Sequence, residues 1–374
     1  MLIRDKITSE NLKIILSEFE FCGCFEEYKP YGCGHINDTF LLTLKGTDGS
    51  RIDYILQRIN GAIFKDVPSL MRNFELVTAF LAKKAEESGG NPKRDVLNLI
   101  LTKDKKSFVE ANGEYFRAFV FIDKATSYQS VEKPEHFFEA GKAFGKFAAL
   151  LNDFDASLLY ESIPDFHNTV KRYQNFENSL KTDTAGRAEH VKAEAAFTTA
   201  HKGITDKVYK LLTDKKIPLR VTHNDTKLNN VMIDDATEKA VAVIDLDTVM
   251  PGSLLYDFGD SIRSGCNTGA EDEKDLSKVN FDFKLFEAYA AGYLSQVKSI
   301  VTDMEGELFA FAPILMTFEC GMRFLTDYLD GDVYFKTKYR EHNLDRARAQ
   351  YKLVCDMEKN ISRMRSFINN ILTK

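Results

Sequence analysis

Six residues with imidazole, amide, carboxylate or ammonium side chains stand within eight positions of the stretch VTHNDTKLNNVMID, residues 221–234, and the apolar residues Val221 and Val231–Ile233 flank them. These six are His223, Asn224, Asp225, Lys227, Asn229 and Asn230. Polar groups between two core-bound segments must bond to one another, to a ligand or to a metal, because burial without a partner costs free energy. The stretch therefore predicts a loop with a function.

A second acid follows at the end of a predicted β-hairpin. The apolar runs Val231–Ile233 and Val241–Ile244 are joined by the polar segment DDATEKA. Antiparallel pairing would bring Asn230 and Asp245 opposite each other, with Asp225 curling back over the same end. Amide and carboxylate oxygens in that arrangement suit Mg²⁺, which takes a few protein oxygens and completes its shell with water and phosphates.

The ordered motifs resemble those of known phosphotransferases. The pattern H-x-D-x-K-x-x-N at residues 223–230 is similar to the catalytic loop of protein-kinase-like enzymes, and Asp245 in VIDLD resembles their second metal-binding aspartate. The family is that of the aminoglycoside-phosphotransferase-like small-molecule kinases. Within it, the stretches GCGHINDTF, YILQRIN, THNDTKLNN, VIDLDTVMPGSLLYDFGD and ECGMRFLTDYLDGDVYF resemble most closely the N-acetylhexosamine 1-kinases.

This resemblance implies an ATP- and Mg²⁺-dependent kinase of the anomeric hydroxyl of N-acetylglucosamine and N-acetylgalactosamine. Asp225 would accept the proton of the attacking hydroxyl, and Lys227 would reach the transferring phosphoryl group. Asn230 and Asp245 would hold Mg²⁺ against the nucleotide phosphates. His223 is expected to support the loop through a hydrogen bond.

The tripeptide Asp257-Phe258-Gly259 also spells a metal-binding motif of protein kinases. It lies beyond a proline and a glycine, whereas Asp245 follows directly from the predicted hairpin. The resemblance matches VID to the metal site and YDFGD to a structural acid, so Asp245 is the predicted metal ligand. Asp247 either assists the metal or caps the turn.

Residues upstream of these motifs are expected to contact nucleotide and acceptor. Gly32 and Gly34 lie in a predicted hairpin, where glycine lets backbone N–H groups approach phosphate oxygens. The resemblance implies that His35 points toward the acceptor sugar. The third strand reads Ile-Leu-Gln-Arg where protein kinases carry V-A-I-K, so Arg58 is expected to contact the nucleotide phosphates and to pair with Glu75 on the next helix. A surface strand arginine is the competing interpretation.

Glu319 and Arg323 lie four residues apart on a predicted helix and are surrounded by apolar residues. An ion pair on the helix face is the simplest interpretation. A buried guanidinium would instead indicate an anionic or hydroxyl-rich ligand. The family resemblance implies that Arg323 and Tyr334 lie near the sugar.

Composition limits the partners and the compartment. The chain has 374 residues, 44% of them hydrophobic and 28% charged, which suits two globular domains. A net charge of -6 gives no electrostatic case for nucleic acid, and no apolar run is long enough to span a bilayer. The acidic N-terminal stretch lacks the apolar core of a signal peptide, and six cysteines without a C-x-x-C pair are typical of the reducing cytoplasm. Partner proteins are not predicted.

Apolar periodicity predicts an α+β fold. Strands alternate with two helices in the first third, and the remainder shows helical spacing at 134–151, 169–180, 188–212, 281–294, 305–329 and 344–371. The resemblance implies a protein-kinase-like two-lobed fold. Its N-terminal nucleotide-binding lobe, residues 1–122, would be an antiparallel sheet with an inserted helix, and its catalytic and sugar-binding lobe, residues 123–374, would be mainly helical.

Two other functions fit the same motifs. A kinase of another small alcohol, such as choline, homoserine or an aminoglycoside, would have a strongly acidic pocket if its acceptor were cationic, and Asp327, Asp330 and Asp332 are candidate acids. A pseudokinase would bind nucleotide or sugar without turnover. The missing strand lysine favours that alternative, while the intact catalytic and metal-binding motifs argue against it.

Overall fold

The computed structural model describes residues 9–32 and 36–373. Contacts divide the chain into two compact units, Met1–Ala125 with Val241–Val249, and Thr126–Ala240 with Met250–Lys374. The predicted α+β class is confirmed, with an antiparallel sheet in the N-terminal region and a helical C-terminal region. In the described ranges, no helix has both the length and the apolar character needed to cross a membrane.

The α-helices are, in chain order, α1 (Ser9–Glu18), α2 (Val67–Glu87), α3 (Pro92–Asp95), α4 (Pro134–Leu150), α5 (Thr169–Thr182), α6 (Lys192–Ala200), α7 (Lys207–Thr213), α8 (Leu254–Gly265), α9 (Phe283–Val297), α10 (Asp303–Leu308), α11 (Ala312–Asp330) and α12 (His342–Leu372). The strands are β1 (Cys24–Pro30), β2 (Asp38–Lys45), β3 (Arg51–Ile59), β4 (Leu99–Ile100), β5 (Val109–Ala111), β6 (Glu114–Val120), β7 (Ala125–Thr126), β8 (Arg220–Thr222), β9 (Val231–Asp234), β10 (Ala240–Val243) and β11 (Met250–Gly252).

The sheet of the first unit has the order β1-β2-β3-β6-β4, with β5 paired to β6, and its pairs are antiparallel. Side chains alternate between its faces. One face packs against α1 in an apolar cluster that includes Tyr54 and Leu56 of β3. The other face carries α2, whose Phe74 ring lies 5.3 Å from that of Phe119. The α2 helix begins at Val67 because the Asp66 side chain accepts the Ser69 N–H.

Two predicted helices of the second unit are each divided in the structure. The range 188–212 breaks between α6 and α7, where Gly203 disfavours helix and His201 Nδ1 lies 2.8 Å from the Phe197 carbonyl oxygen. The range 305–329 breaks into α10 and α11 because Pro313 occupies the first turn of α11, where its missing N–H is tolerated. Periodicity alone joined these segments because their apolar faces continue across the breaks.

Helix α8 was not predicted from the sequence. It packs against α11 so closely that a Cβ added to Gly259 would lie 2.6 Å from the Ala312 carbonyl oxygen. The glycine of the DFG tripeptide therefore serves a helix contact. The short strands β8 and β11 pair antiparallel, and this pairing sets the start of α8 beside the loop that follows β8.

Candidate active site

The loop at residues 223–230 is anchored by one buried carboxylate. Asp257, in the first turn of α8, accepts the backbone N–H groups of His223 and Asn224, each at 2.8 Å. Burial raises the pKa of the Asp257 carboxyl, and the nearby His223 and these two N–H donors oppose that rise. The acid of YDFGD therefore has the structural role that the sequence predicts. Both of its oxygens are engaged by the loop.

His223 supports the same loop from inside the core. Its ring is fully buried, with centroids 5.3 Å from Phe144 and 5.8 Å from Phe147. The backbone N–H of Asp225 donates to His223 Nδ1 at 3.3 Å. The predicted supporting role of this histidine is confirmed.

Asp225, Lys227 and Asn230 lie together in the loop, where Asn230 is buried and the side chains of Asp225 and Lys227 are partly exposed. Lys227 Nζ is 2.7 Å from Asp225 Oδ1, and the Asp225 side chain is 30% exposed. Asn230 Nδ2 donates to Asp225 Oδ2 at 3.1 Å and to the Asp225 carbonyl oxygen at 2.8 Å. The loop thus presents one carboxylate that is open to solvent and held between an ammonium and an amide.

The donor set of the predicted metal site has the chemistry that Mg²⁺ prefers. Because Asn230 Nδ2 is engaged by Asp225, the Asn230 side chain is oriented, and its Oδ1 receives no hydrogen bond from the part of the chain that the structure describes. Asp245 follows β10 with left-handed backbone angles, φ 61° and ψ 59°. The residues offer one amide oxygen and one carboxylate, both hard ligands. Their proximity remains a prediction.

A row of alternating charges runs from the loop along α8. Nearby Asp225, and then Asp260, raise the pKa of Lys227 against the effect of burial. Asp260 Oδ1 accepts from Arg263 Nε at 2.9 Å and lies 2.7 Å from Arg263 Nη2. Burial raises the pKa of Cys320 on α11 to about 11, and Arg263 and Arg323 both oppose that rise. Arg263 of α8 and Arg323 of α11 thus both lie near Cys320.

A pocket of about 410 Å³ lies between α5 and α11. It is lined by Arg172, Asn175, Asn178, Ser179, Arg323, Thr326, Asp327, Asp330, Val333, Tyr334 and Phe335. The Arg323 guanidinium carbon is 5.5 to 5.7 Å from the ring centroids of Phe166, Tyr334 and Phe335. Within residues 9–32 and 36–373, its N–H groups make no hydrogen bond. The structure thus brings the predicted pair Arg323 and Tyr334 to one pocket.

The acids around this pocket are engaged elsewhere. Glu319 does not pair with Arg323 as the simplest interpretation predicted, because its two oxygens bind His167 Nδ1 and Thr169 Oγ1, each at 2.8 Å. Asp327 accepts the backbone N–H groups of Tyr334 at 2.7 Å and Phe335 at 2.9 Å.

The third candidate acid is also occupied. Asp332 lies 2.6 Å from Arg187 Nη1, and its other oxygen accepts from Asn343 Nδ2 at 2.9 Å. Two of the three candidate acids, Asp327 and Asp332, thus hold the protein's own donors. These two residues therefore do not provide the strongly acidic lining that is expected for a cationic acceptor.

In the first unit, Arg58 has strand partners in place of the predicted helix partner. It forms an ion pair with Asp38 of β2 and another, at 3.0 Å, with Glu114 of β6. By alternation along β3 it shares the α1 side of the sheet with Leu56, whereas Glu75 lies exposed on α2. The predicted Arg58–Glu75 pair is wrong because the two residues belong to different faces. A nucleotide contact of Arg58 remains a prediction.

Arg117, a cation that the sequence analysis did not identify, lies on the α2 side of the sheet. Its side chain is 1% exposed, and its Nη1 lies 2.5 Å from Asp247 Oδ1. Gln57 Oε1 accepts from its Nε at 3.0 Å and its Nη2 at 2.8 Å. The available signal was a lone arginine inside the apolar strand YFRAFV.

Asp247 is occupied by two donors of the first unit. Besides Arg117, Asn37 Nδ2 donates to its Oδ2 at 2.6 Å, and Asn37 Oδ1 accepts the Asn60 N–H at 3.0 Å. These contacts fasten the segment that carries Asp245 to the segment that follows the glycine-containing loop. Gly32 has a positive φ of 74°, a conformation that glycine adopts readily. Gly34 and His35 lie outside the described residues.

Comparisons with known proteins identify the family and the fold of this chain. A model of the phosphotransferase enzyme family matches residues 27–294. A spectinomycin phosphotransferase solved with ADP and spectinomycin superposes with a TM-score of 0.56 at 14% identity, over 96% of this chain and 99% of that chain. An aminoglycoside phosphotransferase from Alicyclobacillus acidocaldarius superposes with a TM-score of 0.60 at 11% identity, over 96% of each chain.

A choline kinase from Cryptosporidium parvum Iowa II is also similar, with a TM-score of 0.55 at 14% identity over 93% of each chain. At such low identities the likeness establishes a shared fold. That fold is the protein-kinase-like one implied by the motifs.

Proposed function

The chain belongs to the phosphotransferase enzyme family, and from this premise we propose that it is an ATP- and Mg²⁺-dependent kinase of the anomeric hydroxyl of N-acetylhexosamines. The proposed acceptors are N-acetylglucosamine and N-acetylgalactosamine, and the products are their 1-phosphates. The observation that carries the acceptor assignment is the open guanidinium of Arg323, walled by three aromatic rings.

Asp225 is the proposed base. Its solvent-exposed carboxylate would take the proton of the anomeric hydroxyl as the sugar oxygen attacks the γ-phosphorus. An anomeric hydroxyl is more acidic than an ordinary alcohol, so a carboxylate suffices. Lys227 stays protonated beside Asp225 and would neutralise charge on the transferring phosphoryl group.

Asn230 and Asp245 are the residues that we assign to Mg²⁺. When bound, the ion would supply charge neutralisation at the nucleotide phosphates. The amide of Asn230 is oriented by its two bonds to Asp225, which supports a fixed role for its oxygen. Gly32, Gly34 and Arg58 are proposed to contact the nucleotide.

The acceptor pocket supports a hydroxyl-rich acceptor over a cationic one. Arg172 and Arg323 both line it, and a cation would be repelled by these two guanidiniums. Arg323 carries N–H donors that ring hydroxyls and an amide carbonyl can accept. Tyr334, 61% exposed at the rim, offers a ring face and a hydroxyl. His35 is proposed to complete the sugar contacts.

A panel of acceptors assayed for the phosphorylated product tests this proposal. With saturating Mg-ATP, N-acetylglucosamine and N-acetylgalactosamine should yield 1-phosphates that phosphorus NMR identifies, and choline and homoserine should yield none. Phosphorylation of a non-sugar alcohol, with none of any hexosamine, would keep the kinase and discard the sugar. Failure of any acceptor to raise ATP turnover would favour a pseudokinase.

A further inference from the structure

The acceptor pocket contains a second guanidinium that the proposed reaction does not require. Arg172 of α5 faces the pocket beside Arg323 of α11. Its Nη2 donates to the Phe166 carbonyl oxygen at 3.1 Å, while its buried Nε has no partner in the residues that the structure describes. Burial, and then the neighbouring charge of Arg323, lower the pKa of Arg172. Two cations that repel each other therefore share one pocket with open donors.

Among the described residues, no acid forms a hydrogen bond or ion pair with either guanidinium. Glu319 lies close enough to interact electrostatically with both guanidiniums, but its oxygens bind His167 and Thr169. Asp327 holds the N–H groups of the loop after α11.

Asp330, the other acid of the lining, is two helical turns beyond Arg323, a distance of roughly 10 Å along the helix axis. Asp165 also attracts Arg172 electrostatically, but its Oδ1 accepts from Asn168 Nδ2 at 2.8 Å. Among the described residues, Arg172 Nε and the Arg323 N–H groups therefore remain without an acceptor.

A neutral sugar does not explain two adjacent cations. One arginine can donate to several hydroxyls, so the second adds repulsion and a desolvation cost without a matching gain. An oxyanion reverses this balance, because a guanidinium fork binds carboxylate or phosphate through two parallel N–H bonds. The rings of Phe166, Tyr334 and Phe335 beside Arg323 limit water access and strengthen such a contact.

We propose that Arg172 and Arg323 form one oxyanion subsite within the acceptor pocket, so that this chain binds hexosamines carrying a carboxylate or phosphate substituent more tightly than their neutral counterparts. This inference rests on the proposed function for the sugar part of the ligand. The subsite itself is a property of the pocket and can be measured without turnover.

Equilibrium binding by titration calorimetry, with Mg²⁺ and a non-hydrolysable ATP analogue present, tests the subsite. One ligand pair is N-succinylglucosamine and its terminal amide, which have nearly the same shape but differ in charge and in one NH₂ donor at the acyl end. The other pair is N-acetylglucosamine 6-phosphate and N-acetylglucosamine. The charged member of one pair should bind about tenfold to a hundredfold more tightly than the neutral member, and the pair that responds identifies the source of the oxyanion.

Two variants of α5 separate the subsite from general charge. Arg172→Met should abolish the preference for the charged ligand. Lys171→Met removes one positive charge from the neighbouring, exposed position outside the pocket and should leave the preference in place. Arg172→Lys keeps the charge but loses the fork, so it should retain only a small part of the preference, and it serves as the test if Arg172→Met does not fold.

Equal binding of charged and neutral ligands by the wild type would overturn the subsite, as would a preference that stays at the wild-type level in the Arg172 variants. The proposed function fails separately. If the charged ligands bind preferentially but no N-acetylhexosamine is phosphorylated, the subsite stands and the 1-kinase reaction does not. If N-acetylglucosamine is phosphorylated without any oxyanion preference, only the subsite is lost.

Discussion

The loop at residues 223–230 and the pocket between α5 and α11 lie in the same compact unit but use their polar groups in opposite ways. In the loop, the backbone N–H groups of His223 and Asn224 donate to Asp257 of α8, and the Asn230 amide donates to Asp225. In the pocket, the guanidinium of Arg323 contacts rings and makes no hydrogen bond with the described part of the chain. A reacting centre gains from fixed geometry, whereas a recognition site gains from donors left for the ligand.

The largest effect on activity is expected in the loop at residues 223–230, here called the closed loop because its polar groups bond mainly within the protein. Asp225→Asn keeps the shape of the side chain but cannot take a proton, so kcat should fall about 10²- to 10⁴-fold. Nucleotide affinity and the thermal midpoint should stay close to the wild-type values. Steady-state kinetics with N-acetylglucosamine and a nucleotide titration measure these quantities. A variant with nearly normal kcat would show that Asp225 is not the base.

Substitutions of Asp245 and Asp257, the two acids considered as metal ligands, should have different effects. Asp245→Ala is expected to abolish activity or to raise the Mg²⁺ requirement sharply, because it removes a proposed ligand. Asp257→Asn leaves one loop N–H without its carboxylate partner and should lower the free energy of unfolding by about 1–3 kcal/mol. Its Mg²⁺ dependence should match that of the wild type.

Mg²⁺ titrations of activity and urea unfolding of both variants make this comparison. The reverse pattern, with Mg²⁺ dependence shifted by Asp257→Asn alone, would refute the assignment of Asp245.

A smaller effect on activity is expected in the pocket between α5 and α11, here called the open pocket because its guanidinium donors are left for a ligand. Arg323→Ala should raise the KM for the sugar about tenfold or more by removing donors to the acceptor, with nucleotide affinity nearly unchanged. Arg340→Ala is the matched control because Arg340 is an exposed arginine outside the pocket lining. Equal sugar KM values for the two variants would remove Arg323 from the acceptor site.

The smallest effect concerns Glu319, behind the pocket. Burial alone would raise its pKa, but His167 and the nearby arginines hold that pKa below the usual range. Its ionised form therefore contributes stability that is complete above the ordinary glutamate pKa of about 4.3 and is lost as pH falls through the lower folded-state value. Glu319→Gln should be less stable than the wild type by about 1–2 kcal/mol at neutral pH, and this difference should shrink below about pH 4.

Urea unfolding of both proteins across this pH range is the measurement. A difference that grows toward acid pH would mean that Glu319 is not held in its ionised form by the folded protein.

The closed loop was largely predictable from the sequence. Its residues are contiguous, so spacing alone places Asp225, Lys227 and Asn230 within reach of one another. The anchoring acid Asp257 was assigned through the motif order, and only its partners had to come from the structure.

The open pocket was only half predictable. Arg323 and Tyr334 lie close together in the chain, but Arg172 comes from α5, a helix whose polar face looks solvent-exposed in the sequence. Arg117 was missed for a related reason. The strand pattern shows its position in β6, but its partner Asp247 is far away in the chain, and such long-range ion pairs have no local signature.

The hydrogen bonds that Asp327 accepts from the loop after α11, here called the Asp327 clasp, affect how the acceptor specificity of the pocket can change. This carboxylate holds the N–H groups of Tyr334 and Phe335, while the neighbouring Val333 is 77% exposed. Since backbone groups are what the clasp recognises, the identities of the side chains at the rim are not fixed by it. The side chains of residues 333–335 can therefore be substituted while the backbone conformation is preserved. These residues are suitable positions for changing the specificity of the pocket by directed evolution.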